Sequence, residues 1–492
     1  MKSPVTLLLP ALLLAVACAN AADGSTPAQS PAASACTPPG PPPDADGAAP
    51  PGPPPGSGDA PPCPPPDGMP PPQGRHGASA KGGARPPGPP PGGARAYTLR
   101  GAYTVDAAVP APERARHYPA DAADVSSIWV RQRGVLQLLD AQIDKHGDSS
   151  SHENSSFYGL NAAVLVTADG QLRMHGGQIV ANGIGANAVS VADAASQATL
   201  EQVRITAHGV GAHGVDATRG GHLQLRQVQI ETFDESAAAV ATDRGGGTIQ
   251  VEGGRLLSHG YRSPGLYSTG DIRIRGVQVQ ATGAEAAVIE GSNRIEVIDS
   301  DLRAARERGA MLYQSFSGDA HGQLSVYVQH GGSFHAQQGP LFYVTNTQGQ
   351  IVLENVALTA DSGVLIKAAA GQWGTPGRNG GQALVQANRQ TLPGDVVAAD
   401  GGSVSLELTT QSTLHGRSEG ASLSLDASSR WIVTGDSRVA GLTLAGTTPQ
   451  EKLAHIDSQG HEIRYDPRQP GNRWLGGKRW ELPGGGHLSP QG

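Results

Sequence analysis

The sequence is poor in charge, in aromatic side chains and in cysteine. Of its 492 residues, 16% are charged and 4% are aromatic, and the formal net charge of −7 goes with a pI of about 6.1. Nucleic-acid-binding domains carry a basic face and usually a pI above about 9, so nucleic acid is excluded as a partner. Long apolar runs are also lacking, because segment 5–17 falls short of the roughly 18 residues that a membrane-spanning helix needs.

The first 21 residues have the features of an export signal. Lys2 supplies a positive charge ahead of the apolar segment 5–17. Ala19-Asn20-Ala21 matches the small-x-small pattern of ordinary signal-peptidase cleavage, which predicts a signal peptide at 1–21. The segment LAVAC is an alternative that resembles a bacterial lipobox, in which Cys18 would be lipidated. Both readings predict that the protein leaves the cytoplasm.

Only three cysteines are present. Cleavage or lipidation removes Cys18 from redox chemistry, which leaves Cys36 and Cys63. This pair can form a disulfide in an oxidising compartment, but both residues lie in proline-rich sequence, where a disulfide would brace a tether. The remaining chain has no cysteine, which excludes metal–thiolate sites and thiol catalysis there.

Proline is concentrated in one segment, since 27 of the 39 prolines precede Arg95. Such sequence buries too little apolar surface to offset its ordering entropy, and it favours extended conformers of about 3.1 Å per residue. Residues 22–95 are therefore predicted to be a disordered Pro/Gly-rich stalk.

From about residue 96 a repeat replaces the prolines. Its pattern is apolar, x, apolar, x, x, apolar, x, apolar, and clear copies begin at Leu223, Ile272 and Ile351. Weaker copies begin at Leu172, Ala198, Ile249, Ile295 and Leu324. Most starts are 23 to 26 residues apart, a spacing typical of solenoids. The two-residue alternation indicates strands, and no segment keeps a helical period.

Short strands at this spacing, without crossover helices, predict stacked coils of parallel β-strands. One coil cannot bury its apolar face alone, so neighbouring coils share a long core. The predicted fold is all-β, a parallel β-helix over residues 96–445, followed by a C-terminal β cap or tail at 446–492.

Several segments resemble known proteins. The segment SLSLDASSRWIVTGDSRVAGLTL at 422–444 is similar to the C-terminal end of pertactin-like autotransporter passengers, which are right-handed parallel β-helices of the pectate-lyase-like superfamily. Trp431, the turn at 434–437 and the strand at 439–444 carry this resemblance. The blocks GAMLYQSFSGDA, GPLFYVTNTQG and WGTPGRNGG resemble adhesin-like bacterial β-helix proteins. Autotransporters end in a membrane barrel, and we expect the 48 residues after Leu444 to be too few to form one.

Motifs for catalysis or cofactor binding are weak. Gly209-x-Gly211-x-x-Gly214 and Gly416-x-Ser418-x-Gly420 match a dinucleotide fingerprint and a nucleophile elbow, but both chemistries need a helix after the turn, and strand patterns follow here. The histidines lack zinc-site spacing. We therefore predict no catalytic residue, no metal and no cofactor.

Charged turns are the other candidate for chemistry. Asp216 with Arg219, and Asp243 with Arg244, are predicted to lie in corresponding turns of successive repeats, where they could form a charged patch. They form no regular acidic column of the kind that lyases or glycosidases on this fold would need. We expect them to be solvated turn charges.

Aligning the repeats brings five other side chains together. These are Tyr267, Glu290, Tyr313, Tyr343 and Lys367. Equivalent positions on neighbouring coils lie about 4.8 Å apart, so an outward-facing stripe would suit sugar rings and hydroxyls. The alternative is that the tyrosines point inward as an aromatic ladder.

The favoured function is an exported, non-enzymatic, adhesin-like protein that binds a polysaccharide or a host surface. It would be tethered at the cell surface or outer membrane, or else be periplasmic or secreted, with secretion machinery as a further partner. Repeated weak contacts along a rod would sum to avidity. The alternatives are a polysaccharide lyase or glycosidase on the same scaffold, and a structural envelope protein.

Overall fold

The structure is a computed structural model that describes residues 97–316 and 322–491. The predicted signal peptide and stalk, with Cys18, Cys36 and Cys63, lie outside these residues and stay predictions. The described chain is almost entirely β, with two short α-helices, α1 at His152–Tyr158 and α2 at Pro449–Leu453, and one 3₁₀-helix at Pro470–Leu475.

The strands are short and follow one another at coil spacing. The first half consists of β1 Arg100–Val105, β2 Glu113–Arg114, β3 His117–Ala120, β4 Val125–Val130, β5 Val135–His146, β6 Val164–Val166, β7 Gln171–Asn182, β8 Val189–Ala192, β9 Gln197–Glu201, β10 Arg204–His208, β11 Val215–Thr218, β12 Gly221–Thr232, β13 Val240–Thr242, β14 Gly247–Ser258, β15 Leu266–Ser268, β16 Asp271–Arg275, β17 Gln278–Ala281, β18 Ala287–Glu290, β19 Arg294–Ile298 and β20 Asp301–Ala304.

The second half continues the same order. It consists of β21 Ala310–Tyr313, β22 Leu324–His330, β23 Ser333–Ala336, β24 Phe342–Thr345, β25 Gln348–Glu354, β26 Ala357–Ala360, β27 Val364–Ala368, β28 Gln382–Asn388, β29 Thr391–Pro393, β30 Asp395–Ala398, β31 Ser403–Thr409, β32 Thr413–His415, β33 Ser418–Leu425, β34 Arg430–Ile432, β35 Ser437–Leu444, β36 Ile456–Asp457, β37 Glu462–Tyr465, β38 Trp480–Glu481 and β39 His487–Pro490.

Each coil passes through three faces. The first face includes β9, β16, β19, β22, β25, β28 and β31, and the second includes β10, β17, β20, β23 and β26. The third face includes β8, β11, β13, β15, β18, β21, β24, β27 and β30. All these pairings are parallel. The predicted all-β solenoid of stacked parallel coils is confirmed.

The repeat pattern has a direct structural cause. Its apolar positions stack in register, so that Leu223 pairs with Ile249, Ile249 with Ile272 and Ile272 with Ile295. All four are at most 1% exposed. The two central x positions mark the corner between the first and second faces, where one residue adopts a left-handed backbone. Gly276 does so at φ +62°, a conformation that glycine reaches without a steric penalty.

One predicted repeat start is wrong. Leu324 is 41% exposed, and the position that stacks on Ile295 and Ile351 is Tyr327. The alternation that begins at Leu324 has the opposite phase to the buried one. The inward position after Tyr327 is Gln329, whose side chain accepts a 2.7 Å hydrogen bond from the Tyr327 hydroxyl. A polar residue at an inward position hid the true phase.

Residues after β35 extend the stack. Strands β37 and β39 continue the third face in parallel register, and β38 pairs antiparallel with β39. Trp474 Nε1 donates to the Leu442 carbonyl oxygen at 2.9 Å, and the Tyr465 hydroxyl donates to the Lys478 carbonyl oxygen at 2.9 Å. The shared apolar core therefore runs from Val105 in β1 to Leu488 in β39.

Candidate functional site

The third face carries two different apolar surfaces. In β21, Ala310 and Leu312 belong to the shared core, whereas Met311 and Tyr313 belong to a second cluster with Val288. Because side chains alternate across a strand, this second cluster lies on the outer surface of the coil. The predicted tyrosines are on this outer side, so the alternative of an inward aromatic ladder is wrong.

The strand register gathers the five predicted binding residues. One column along the outer surface reads Tyr267, Val288, Met311, Tyr343 and Lys367. Glu290 and Tyr313 are paired with each other in the neighbouring column, two residues along on the same side. The predicted set is thus brought together as two adjacent columns across five coils.

The middle of this set is not open to solvent. Tyr313 and Glu290 are each 1% exposed. Tyr267 and Tyr313 donate hydrogen bonds from their hydroxyls to Glu290 Oε2 at 2.8 and 2.7 Å, and Ser315 donates to Oε1. Burial raises the pKa of the Tyr313 hydroxyl well above its usual value. Glu290 therefore fixes the positions of Tyr267 and Tyr313 through their hydroxyls. The side chains of Tyr267 and Tyr343 stay half-buried.

An insertion covers Tyr313. Residues 371–381, which we call the strap, leave the coil between β27 and β28 and fold back along the outer surface. The Trp373 ring lies 4.7 Å from the Tyr313 ring between centroids. The strap is pinned by Asn379, whose side-chain amide donates to the carbonyl oxygens of Gly371 and Trp373, both at 2.8 Å.

A second insertion covers the outer surface nearer the N-terminus. Helix α1 begins after Ser151, whose hydroxyl caps it, and ends at Gly159. The Thr218 hydroxyl donates to the Phe157 carbonyl oxygen at 3.0 Å, and the Arg244 guanidinium lies 3.8 Å from the centroid of the Phe157 ring. The helix is thereby fixed against β11 and the turn after β13.

Asp216 corrects the expectation of solvated turn charges. It is fully buried in β11 and accepts a 3.4 Å hydrogen bond from the Ser190 hydroxyl, while its Oδ1 has no hydrogen-bond partner among the described residues. Burial raises the pKa of this carboxyl well above its ordinary value. The helix that buries Asp216 has no signature in the repeat, which is why the pattern placed it in solvent. Asp243 is also buried, at 5% exposed.

Between the two insertions lies a cavity of about 540 Å³, which we call the outer groove. Its aromatic lining consists of Tyr261, Tyr267, Tyr313, Tyr343 and Trp373. Its charged lining consists of Asp243, Glu285, Glu307, Arg262, Arg308 and Lys367. Four of the five predicted binding residues line the groove, and Glu290 supports it.

Charges in the middle of the groove are largely compensated. Arg308 Nε lies 3.3 Å from Glu285 Oε1, and its Nη2 donates to Glu307 Oε2 at 3.0 Å. Burial raises the pKa of Glu285, and the nearby Arg308 and Arg262 partly oppose that shift. Arg262 also stacks on Tyr261 at 4.9 Å from the ring centroid.

A histidine occupies the α1 end of the groove. His213 is 6% exposed and accepts a 3.0 Å hydrogen bond at Nδ1 from the Ala238 amide. Burial, and secondarily the charge of His152, lowers its pKa to about 4. It is therefore neutral at pH 7, with Nε2–H available as a donor.

The sequence did not reveal His213, Glu285, Arg308 or Trp373 as groove residues. They lie in turns and in the strap, whose positions depend on how the insertions fold. The only available signal was the block WGTPGRNGG, which interrupts the repeat. No group of three or more metal-ligating side chains occurs in the described residues, and no described helix is long and apolar enough to cross a membrane.

Comparison with known proteins agrees with the architecture. A stretch of 248 residues is 24% identical to the BrkA autotransporter of Bordetella pertussis (strain Tohama I) and covers 47% of this chain. The chain is similar to an autotransporter. The predicted resemblance is thereby confirmed, although the match spans only 22% of that relative's length. No family model matches the chain.

Proposed function

We propose that the protein is an exported surface β-helix that binds a glycan in the outer groove without cleaving it. The observation that carries this proposal is the row of aromatic rings lining a cavity on a rigid scaffold. Tyrosine offers an apolar ring face together with a polar hydroxyl, and a largely apolar cavity with a few oriented polar groups is typical of ligand sites.

The groove offers both kinds of contact that a sugar needs. Tyr261 is 52% exposed at its rim, so one ring face is open to stack on a pyranose. Within the groove, Asp243, Glu285 and the His213 Nε2–H can exchange hydrogen bonds with hydroxyls. Since neighbouring coils fix the spacing of these groups, little conformational entropy is lost on binding.

The surface location belongs to the same proposal. It is supported by the likeness to an autotransporter and by the export signal and proline-rich stalk that the sequence predicts. A stalk of this kind would hold the β-helix away from the membrane, where several molecules could bind one polymer at once.

Removing the rim ring tests the proposal. In Tyr261→Ala we expect at least about tenfold weaker retention of glycans on an array of polysaccharides, with an unchanged melting temperature. Ile184→Ala is the matched control, because Ile184 is 45% exposed but does not line the groove. Equal retention by both variants and the parent would contradict the proposal.

A second candidate function rests on Glu285. A carboxyl group whose pKa is raised by burial is suited to act as a general acid, and Asp243 lines the same groove. The observation favours a polysaccharide lyase or glycosidase. Formation of new chain ends by the full-length protein, abolished in Glu285→Gln, would establish the enzyme and displace the non-enzymatic proposal.

A further inference from the structure

Lysine is rare among the described residues, and Lys367 is the lysine that lines the outer groove. The described residues contain four lysines, Lys145, Lys367, Lys452 and Lys478. Lys145 is buried and donates to backbone carbonyl oxygens, including that of Ala122 at 3.1 Å, and Lys452 lies 4.9 Å from the centroid of the Trp474 ring. Lys478 is exposed, away from the groove.

Lys367 is half-buried in the groove, and the described residues supply no counter-ion to it. It lines the cavity one coil beyond Tyr343, and its ammonium makes no salt bridge or hydrogen bond with the described residues. Arg308, the other cation beside Tyr343, is already paired with Glu285 and Glu307. Among the described residues, the unpaired positive charge at this end of the groove is therefore that of Lys367.

The other end of the groove lies beside Asp243. Asp243 follows β13, whose Ala241 is five coils before Lys367 in the same column. At one strand spacing per coil, the two ends are about 24 Å apart. An acidic ligand group is favoured beside the half-buried ammonium of Lys367, which therefore marks one end of the groove for an anion.

Desolvation of the Lys367 ammonium determines which ligand groups the groove favours. A neutral glycan lying over Tyr343 and Lys367 would remove water from the ammonium without replacing its interactions, and such burial of an unpaired charge is costly. A carboxylate or sulfate on the sugar would neutralise it in a short, charge-assisted hydrogen bond.

We infer that the outer groove selects an anionic glycan, with an acidic sugar seated against Lys367 and the rest of the glycan extending towards Asp243. This inference rests on the proposed function and deepens it.

The experiment pairs each acidic glycan with a neutral counterpart. The full chain is applied to an array of oligosaccharides containing uronate, sialate or sulfate, together with the carboxyl-reduced or desulfated form of each. We expect at least about tenfold stronger retention of the acidic form in one or more pairs, with the carboxylate and sulfate arms identifying the anion. Salt should weaken that preference, since it screens the ion pair.

Two variants assign the preference to one residue. Lys367→Gln should abolish the difference between acidic and neutral forms at an unchanged melting temperature, whereas Lys478→Gln, which removes an exposed lysine outside the groove, should keep it. Retention of both forms alike by the parent, or an unaltered preference in Lys367→Gln, would overturn the inference while leaving glycan binding in place. Retention of no glycan at all would overturn the proposed function with it.

Discussion

Tyr327 and Tyr313 are both almost inaccessible to solvent, at 0% and 1% exposed, yet they are buried by different means. Tyr327 points into the β-helix, where its ring packs against Phe334 and Phe342 of the shared core. Tyr313 points outward and is buried by Trp373 of the strap. Burial on the inner side repeats with every coil, whereas burial on the outer side depends on two insertions that each occur once.

The inner side of the coils therefore governs the stability of the fold, and the outer side carries the candidate binding site. The inner side is lined mainly by Val, Ile, Leu and Ala in register. The outer side between α1 and the strap collects tyrosines, ion pairs and a cavity. Changes to the inner side should therefore act on the whole fold, and changes to the outer side should act locally.

The largest expected effect is that of a charge placed on the inner side. Ile274→Asp buries an unpaired carboxylate at a position that is fully buried, and we expect a loss of more than about 4 kcal/mol in the free energy of unfolding. Gln278→Asp in the same coil is exposed and should cost less than about 0.5 kcal/mol. Urea denaturation followed by circular dichroism measures both, and equal midpoints would disprove the assignment of inner and outer sides.

Two tryptophans give the next comparison. Trp431 is fully buried in the shared core and donates from Nε1 to the Gly416 carbonyl oxygen at 2.9 Å. Trp431→Ala should cost about 3 to 5 kcal/mol.

Trp373→Ala should cost only about 1 to 2 kcal/mol, because it frees the strap and leaves the coils stacked. Limited proteolysis near Gly377 should increase in this variant and stay unchanged at other sites. If the two tryptophan variants melt alike, the outer cluster is an integral part of the fold, contrary to the comparison.

The last comparison concerns the effect of pH on the outer side. The pKa of His213 is lowered to about 4 from an unfolded value near 6.5, so its contribution to stability is complete above pH 6.5 and is lost as the pH falls towards 4. At pH 5 the loss is about 2 kcal/mol relative to pH 7.

His213→Asn preserves an acceptor for the Ala238 amide and should remove about that much of the difference between pH 7 and pH 5 in the free energy of unfolding. His222→Asn, at an exposed site, is the control and should behave like the parent. An identical pH dependence in all three proteins would show that His213 is not buried in solution.

The burial of Tyr313 also changes which residues can test binding. Because Tyr313 is 1% exposed and hydrogen-bonded to Glu290, replacing it would disturb packing and binding together. Tyr261 at the rim separates the two effects, although the repeat pattern had not marked it.

The coil architecture could be predicted because it depends on local alternation. Leu223, Ile272 and Ile351 each begin a repeat whose inward positions are apolar, and the structure stacks them as expected. Leu324 was misassigned where Gln329 interrupted that alternation. The prediction of adjacent tyrosines succeeded for the same reason, since equal spacing along the chain becomes proximity across coils.

What the sequence by itself determined is the stack of parallel coils, because burial of every second residue at a 23 to 26 residue spacing admits few other folds. Which side of the third face becomes a site was decided only by tertiary structure. Helix α1 and the strap lie far apart in the chain, and they meet the outer surface through single contacts such as Thr218 with Phe157 and Tyr313 with Trp373. Contacts of that kind leave no periodic trace in the sequence.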